Sequence, residues 1–383
     1  LPENLSEVTF AGLLGGRSFR YTKDDEGHVL SSDADFVITG KVVKNATKSE
    51  GPFGDHLGYY SLAHEFPYMK VDSVYHRKDP LWHFTVVGRP PQEDSSFGYL
   101  IHQLVKELTG GEFPGLSSLH AVDAAGVHPL LLAVGQERYM PFRERKPEEI
   151  ITIANRLIGS GQTSLAKYLI IAAQDDDPSL DAHDIDQMFD HVLQRVDWRR
   201  DLHFHTNTTI DTLDYSGNGW NAGSKVVIAC RGEKLRSLGK DVPSVSSIQR
   251  IIDCKLARPG VLALQIKPWQ SYQQAQKEVE EIANTLKTWN LKDFPLIVLC
   301  DDAKFIGATL NNFLWVTFTR SNPSHDIYGV DSFYINKHWG CKGPLIIDAR
   351  MKSHNAPELI PDPEVTKKVD QLFSKGGELY GTI

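Results

Sequence analysis

The chain has 383 residues, of which 41% are hydrophobic and 23% are charged. These fractions are typical of globular proteins, so they favour neither a disordered nor a fibrous protein, and the length predicts roughly two or three domains. The formal net charge of −8, without a long run of Lys and Arg, argues against a nucleic-acid-binding protein.

The cysteines and the chain ends indicate the cellular setting. The four cysteines lie far apart and form no C-x-x-C pair, which argues against a zinc site and a disulfide framework. No apolar run reaches about 18 residues and the first residues do not resemble a signal peptide, so we predict a cytoplasmic protein without a membrane span. Because the chain does not begin with Met and a motif appears close to its start, we expect it to begin part-way through a larger protein.

Roughly the first hundred residues are rich in β-forming sequence. Apolar and β-branched runs at residues 36–43 and 69–87 are separated by Gly, Pro and Asp, which predicts short antiparallel strands. A helix is predicted next, from apolar residues at helical spacing: Ile101, Leu104, Val105 and Leu108. A Gly-Gly pair follows, so this helix is predicted to close a mostly β domain at residues 1–117.

Strands and helices alternate after this domain, which predicts α/β units with buried strands. The segment HAVDAAGVHPLLLAVGQ near residue 120 resembles RIIDCKLARPGVLALQI near residue 250, and each precedes a charged helix and an apolar strand ending in paired aspartates. An internal duplication is the simplest interpretation. The predicted units span residues 118–233 and 248–383, with a polar linker at 232–247 and a tail helix at the end of the second unit.

Residues 50–56, with the sequence EGPFGDH, are the most informative part of the chain, and we name them the acid segment. Gly and Pro fix a tight backbone, which would hold Glu50 and Asp55 at a set separation, as a proton-transfer pair requires. A carboxyl that faces an apolar cofactor has a raised pKa and can act as a general acid near neutral pH. The structural alternative is a surface turn in which Asp55 caps a strand end and Glu50 is solvated.

Further motifs surround the acid segment. Ser6-Glu7 and Phe10-Ala11-Gly12 precede it, while GYY at residues 58–60 and GRPP at residues 88–91 follow it. In this order and spacing, the motifs resemble the UbiD-like family of 3-octaprenyl-4-hydroxybenzoate carboxy-lyase-like decarboxylases, which use a prenylated flavin. The resemblance implies an α+β fold, with a mostly β split-barrel flavin-binding domain followed by α/β C-terminal units that are duplicated here.

The resemblance implies an activity and two catalytic residues. The activity is that of a carboxy-lyase that removes CO2 from an aromatic or α,β-unsaturated carboxylic acid with prenylated FMN. A 4-hydroxybenzoate-type substrate is favoured, because the acid segment is similar to the ubiquinone-biosynthesis branch of the family. Asp55 occupies the place of the acid that protonates the carbon after CO2 leaves, and Glu50 belongs to the ionic network beside the substrate.

The resemblance also implies ligands and partners. Glu7 matches a glutamate that helps to bind a divalent metal, Mn2+, next to the cofactor phosphate, although a solvated glutamate at a helix start is the alternative. Lys167 matches a lysine that contacts the cofactor, with a surface lysine as the alternative, and Asp293 is its aligned position in the second copy. K+ is an optional further ion. Implied partners are the carboxylic acid substrate, a flavin prenyltransferase that supplies the cofactor, and further copies of the chain in a homo-oligomer.

Two departures from the family leave a second hypothesis open. The family's N-terminal part, which supplies further site residues, precedes anything present here. The α/β unit is also duplicated, whereas typical members have one copy, and the second copy resembles the family C-terminus more closely than the first. The chain could therefore be a non-catalytic assembly subunit or relic whose α/β units build an oligomer. His203 and His205 alternate as on a strand and could bind a metal, but no third ligand stands out.

Overall fold

A computed structural model describes residues 4–84, 86–139, 142, 144–243 and 250–382. These residues form a mixed α+β fold with several β-sheets, and no closed barrel occurs among them. The predicted linker lies outside the described residues from residue 244 onward. The chain divides into two compact units, of which the first comprises Leu1–Phe53 with Ser61–Val86 and the second comprises Gly54–Tyr60 with Val87–Ile383.

The first unit is built on a long antiparallel ribbon. Its elements are α1 (Glu7–Leu14), β1 (Tyr21–Lys23), β2 (Val29–Ser31), β3 (Phe36–Glu50) and β4 (His64–His76). β1 pairs with β2 and β3 pairs with β4, both antiparallel. The antiparallel pairing predicted here is confirmed, but the part of the prediction at residues 81–87 is wrong, since the described residues of that run form no strand.

Apolar side chains remain exposed along the ribbon. They include Ile38, Val42, Val71 and Val74. A two-stranded ribbon cannot cover its own faces, so a unit of this kind buries little apolar surface.

The second unit contains two five-stranded sheets. The strands of the first sheet are β5 (Leu116–Ala121), β6 (Leu130–Gly135), β7 (Tyr168–Ala173), β8 (Leu202–Thr208) and β9 (Gly223–Cys230). The later strands are β10 (Asp253–Arg258), β11 (Val261–Gln265), β12 (Leu296–Cys300), β13 (Ile327–Gly329), β14 (Ser332–Ile335), β15 (His338–Cys341) and β16 (Leu345–Asp348).

The two sheets have the same strand order and the same strand directions. The orders are β5-β6-β7-β9-β8 and β10-β11-β12-β16-β13, while β14 and β15 form a separate hairpin. In each sheet the three central strands are parallel and both edge strands are antiparallel to their neighbours.

The described residues of the second unit also form helices. They are α2 (Glu93–Glu112), α3 (Glu149–Ile158), α4 (Ile185–Arg195), α5 (Tyr272–Leu286), α6 (Ala303–Ile306), α7 (Leu310–Thr319), α8 (Pro323–Asp326) and α9 (Pro363–Phe373). Side chains of Asp184, Ser271 and Thr309 accept hydrogen bonds from the first turns of α4, α5 and α7, which fixes where these helices begin. The predicted helix after the β-rich region and the predicted tail helix are observed as α2 and α9. The predicted end of the first helix was wrong, since α2 continues through Gly110 and Gly111 to Glu112.

The core lies between the central strands and the helices. Every residue of β6, β7, β9 and β12 is buried. The continuous apolar sequences of β6, β7 and β12 are typical of strands that are covered on both faces. One core cluster contains side chains from both sheets together with Leu57 and Tyr59, which follow Asp55 in the chain. The residues after Asp55 are therefore anchored in the core of the second unit.

Two expectations from composition also find support. In the part of the chain that the structure describes, no helix has both the length and the apolar composition needed to cross a membrane. The four cysteines form no disulfide.

Candidate functional site

Asp55 lies in a tight turn at residues 54–60, which we name the acid turn. The N–H of Asp55 donates to the Tyr59 carbonyl at 3.1 Å, and the N–H of Gly58 donates to the Asp55 carbonyl at 2.9 Å. Gly58 has a φ of 84°, and a Cβ there would lie 3.0 Å from the Cα of Arg89. Glycine is therefore required at this position, because of both its backbone conformation and the close approach of the Gly-Arg-Pro-Pro motif.

The acid turn is docked on α7. Trp315 Nε1 donates to the Leu57 carbonyl at 2.8 Å, and the indole stacks on the Tyr59 ring with centroids 5.0 Å apart. The Tyr59 hydroxyl lies 2.7 Å from Thr319 Oγ1 and accepts a hydrogen bond from Arg320 Nε at 3.1 Å. These buried contacts hold the turn, and with it Asp55, in one position.

The carboxylate of Asp55 has two unequal oxygens. Oδ1 lies 2.7 Å from the backbone N–H of His56, which donates to it, and 2.8 Å from His56 Nδ1. Oδ2 is buried and accepts no hydrogen bond from the described residues. Since a buried carboxylate oxygen without a donor is costly, Oδ2 is the atom available to a ligand or a proton.

His56 leads into a cluster that the sequence did not predict. Its Nε2 lies 3.3 Å from Asp211 Oδ2, which also contacts His128 Nδ1. The ligand atoms of these three residues lie within 4.8 Å of one another, so they could hold a metal ion. His128 and Asp211 are 83 residues apart and follow different strands, so no local spacing in the sequence reveals them.

The cluster has strongly shifted pKa values. Burial alone would lower the pKa of His56, but its hydrogen bonds with Asp211 and Asp55 outweigh burial and raise the pKa to about 10. Burial alone would raise the pKa of Asp211, but hydrogen bonds from His128 and His56 hold it well below the usual range of a carboxyl. In the absence of a metal, His56 is thus a cation between two carboxylates.

Lys167, which directly precedes β7, lies in the interior. It is 0% exposed, and its Nζ lies 2.8 Å from Asp214 Oδ2. Nζ also donates to Ser216 Oγ at 2.5 Å and to the Ser321 carbonyl at 2.9 Å. Burial lowers the pKa of Lys167, and the charge of Asp214 opposes that change. The surface lysine considered from the sequence is excluded.

A small cavity lies beside this lysine. Its volume is about 20 Å³ and its lining includes Tyr59, Asp214, Ser216 and Arg320. This volume is enough for roughly one water molecule. Asp214 and Ser216, rather than Lys167 itself, line the cavity.

Glu7 and Glu50 belong to the first unit, whereas Asp55 and Lys167 belong to the second. Glu7 is the exposed first residue of α1, whose N-terminus is capped by Ser6. Glu50 is the exposed last residue of β3 and pairs in register with His64.

Comparisons with known families match two stretches of the chain, within residues 1–230. Residues 1–90 match the model of the 3-octaprenyl-4-hydroxybenzoate carboxy-lyase Rift-related domain, and residues 95–230 match that of the carboxy-lyase C-terminal domain. The C-terminal model thus matches the first α/β unit. The expectation that the second unit is more similar to the family C-terminus was therefore wrong.

Curated relatives are longer than this chain. A Chlamydia pneumoniae protein, named as one subunit of a 4-hydroxybenzoate decarboxylase, is 35% identical over 377 residues, which cover 97% of this chain and 60% of that protein. An uncharacterised Chlamydia trachomatis serovar D protein is 36% identical over 369 residues, or 94% of this chain and 59% of that protein. The chain spans about 60% of the length of these relatives.

A solved structure has the same fold. The closed form of the vanillic acid decarboxylase of Sedimentibacter hydroxybenzoicus aligns with a TM-score of 0.51 at 19% identity. The alignment covers 74% of this chain and 53% of that chain.

Proposed function

Because the chain belongs to the UbiD family of carboxy-lyases, we propose that it forms part of a non-oxidative decarboxylase of an aromatic or α,β-unsaturated carboxylic acid. A 4-hydroxybenzoate-type acid is the favoured substrate, and the name of the Chlamydia pneumoniae relative supports this choice. The proposed cofactor is prenylated FMN with a divalent metal, Mn2+, and K+ as an optional ion.

The asymmetric carboxylate of Asp55 carries the proposal. His56 fixes Oδ1 through its backbone and its ring, while the buried Oδ2 has no donor among the described residues. A proton on Oδ2 would therefore be held in a fixed position, as a general acid requires. Asp55 would give this proton to the carbon that has lost CO2 and would then be reprotonated from solvent.

The cofactor would supply the electron sink for the loss of CO2. We propose Glu7 as a ligand of its metal, and the exposure of Glu7 leaves its carboxylate available. We propose Glu50 as part of the ionic network beside the substrate. We also propose that Lys167 helps to bind the cofactor. Its Nζ is already paired with Asp214 and Ser216, which line the cavity, so we propose that it does so indirectly, by positioning these two side chains.

We further infer the domain organisation. The identical strand orders of the two sheets support a duplication into units at residues 118–233 and 248–383. The exposed apolar side chains of the β3-β4 ribbon support a partial split barrel within residues 1–117. Cytoplasmic location, homo-oligomer formation and supply by a flavin prenyltransferase are further proposals that follow from the family.

The second candidate is a non-catalytic assembly subunit. The complete burial and pairing of Lys167 favours it, because this lysine stabilises the interior without any cofactor.

Cofactor retention tests the proposal. The full-length protein that carries this chain would be coexpressed with a flavin prenyltransferase, supplied with Mn2+, and measured by absorbance and native mass. We expect a bound modified flavin and CO2 release from 4-hydroxybenzoate, with Glu7→Gln losing metal and flavin while the control Glu26→Gln keeps both. A folded, metal-supplied protein without flavin would favour the assembly subunit.

A further inference from the structure

We propose that His56, His128 and Asp211 form a binding site for a divalent transition-metal ion of the zinc type. This site is separate from the metal site proposed at Glu7, and it does not depend on the proposed decarboxylase activity.

The donor atoms converge at distances that suit such an ion. Zinc binds imidazole nitrogen and carboxylate oxygen at about 2.0–2.2 Å, so neighbouring donors in a tetrahedral site lie roughly 3–3.5 Å apart. His56 Nε2 and Asp211 Oδ2 are 3.3 Å apart, and His128 Nδ1 completes a set within 4.8 Å. An incoming ion would replace the direct contact between His128 and Asp211.

The donor atoms also face one another within the cluster. Asp211 Oδ1 accepts a hydrogen bond from the Leu213 N–H at 2.9 Å, which leaves Oδ2 for the ion. His56 Nε2 is buried, and Asp211 Oδ2 lies 3.3 Å from it. An ion between these two atoms would replace their single contact with a metal–ligand bond to each of them.

His56 is oriented as a metal ligand usually is. Its Nδ1 lies 2.8 Å from Asp55 Oδ1, so the carboxylate fixes the ring and makes Nε2 the ligating atom. Metal-bound histidines commonly have such a carboxylate on the opposite nitrogen, and this partner strengthens the ligand. The same bond would connect the ion to the orientation of Asp55.

The chemistry of the donor set selects the ion. Two imidazoles with one carboxylate suit zinc and its transition-metal neighbours, whereas calcium and magnesium prefer oxygen donors alone. Two carboxylates, Asp55 and Asp211, lie against the imidazoles, so a divalent cation would balance the local charge. The side chains of His56 and His128 are 19% and 23% exposed, which gives an ion a route from solvent.

A second histidine cluster provides a control. The rings of His102, His120 and His183 have centroids 4.8–5.3 Å apart. His120 Nδ1 lies 3.1 Å from the Ala182 carbonyl and His183 Nδ1 lies 3.0 Å from Asp181. Among the described residues, the donor atoms of this second cluster do not converge as those of His56, His128 and Asp211 do. Close rings alone therefore do not make the proposed site.

Metal binding to the purified protein tests the proposal. Zn2+ would be titrated by equilibrium dialysis into wild type, Asp211→Asn, His128→Gln and the control His183→Gln, with circular dichroism to check folding. Wild type and control should bind one more Zn2+ than the other two variants, or bind it more than about 100-fold more tightly. The expected loss of zinc affinity is larger than the roughly 10–100-fold loss that follows when a residue that only orients a metal ligand is removed.

Cobalt gives a second measurement that does not depend on the variants. Co2+ added to wild type should produce a saturable visible d–d absorption that Zn2+ abolishes. Equal zinc stoichiometry and affinity in all four proteins would overturn the proposal. So would the absence of a zinc-sensitive cobalt absorption in folded wild type, even if a variant failed to fold.

Discussion

Each of the two five-stranded sheets of the second unit has a buried aspartate directly before an edge strand, Asp201 before β8 and Asp326 before β13. The cations that face these two carboxylates differ. In the first sheet, Asp201 Oδ2 accepts the backbone N–H of Asp197 at 2.9 Å. In the second sheet, Asp326 Oδ2 accepts the backbone N–H of Asn322 at 2.6 Å. Both carboxylates are almost completely buried, and burial raises the pKa of each to about 6.

The cations that face these aspartates lie at different depths. Arg200, the residue before Asp201, bonds to it at 2.5 Å with a side chain that is 34% exposed. Lys352 lies 3.2 Å from Asp326 and its side chain is 0% exposed. The same buried carboxylate is thus compensated near the surface in one sheet and entirely inside the protein in the other.

A further asymmetry concerns Lys167. In the first sheet, the N–H of Val226 donates to the Lys167 carbonyl where the pairing of β7 with β9 begins. In the second sheet, the N–H of Leu345 donates to the Pro295 carbonyl where the equivalent pairing of β12 with β16 begins. Pro295, not the Asp293 expected from the sequence, is therefore the counterpart of Lys167. The first sheet therefore has a buried lysine directly before β7, where the second sheet has a proline directly before β12.

Replacement of Lys352 or Arg200, the cations that face the two buried aspartates, should give the largest difference in stability between the two sheets. Lys352→Met leaves a fully buried carboxylate without its cation, which costs about 3–5 kcal/mol. Arg200→Met removes a partly exposed partner and should cost about 1 kcal/mol. Urea unfolding measures the free energy of unfolding of both variants. Equal losses of stability would show that the depth of the cation in the protein does not matter.

Lys167→Met should cost about 3 kcal/mol, because Asp214 is then buried without a cation. The double variant Lys167→Met/Asp214→Asn should regain most of this stability in urea unfolding. Comparison of the single and double variants then distinguishes two roles of Lys167. If the double variant is stable but loses flavin, Lys167 serves the cofactor; if it keeps flavin, the lysine is structural.

These comparisons show which features can be predicted from the sequence. The central strands β6 and β7 were predictable, because a strand buried on both faces reads as a continuous apolar run. The α2 helix was predictable from the helical spacing of its apolar residues, and the acid segment from its unusual residue types. Each of these signals lies within a short stretch of chain.

The rest depends on contacts between distant residues. The cluster of His56, His128 and Asp211 forms only when the first sheet brings its loops together, so spacing gives no sign of it. The burial of Lys167 depends on Asp214 and Ser321, which lie far along the chain. A lysine before a strand has the same local sequence whether it is buried or exposed.

The pH dependence of stability should be similar for the two aspartates. Their pKa values in the folded protein, about 6, exceed the ordinary value of 3.8. Each carboxyl therefore stabilises the fold fully below pH 3.8 and loses this contribution as the pH rises through about 6. Relative to Asp201→Asn or Asp326→Asn, wild type should lose up to about 3 kcal/mol between pH 4 and pH 7.

Urea unfolding of wild type and each variant across this range isolates the aspartate, because the buried histidines titrate equally in both proteins. A difference that stays constant with pH would contradict the raised pKa values.

The smallest expected effect concerns the paired aspartates after β7 and β12. Asp302 caps α6 by accepting the Phe305 N–H at 2.9 Å, so Asp302→Ala should cost about 1 kcal/mol. Asp176 instead bonds to Arg145 and to the Gly232 N–H. Thermal melting of Asp302→Ala and Asp176→Ala compares the two. No loss in Asp302→Ala would argue against a capping role.

The most direct test of the central claim is the rate of CO2 release by the flavin-loaded full-length protein with Asp55→Asn. Asn keeps the size of the side chain and an acceptor for His56, but it has no acidic proton. We predict that turnover is abolished while flavin stays bound, with Asp293→Asn as the unaffected control. Normal turnover in flavin-loaded Asp55→Asn would contradict the assignment of Asp55 as the acid.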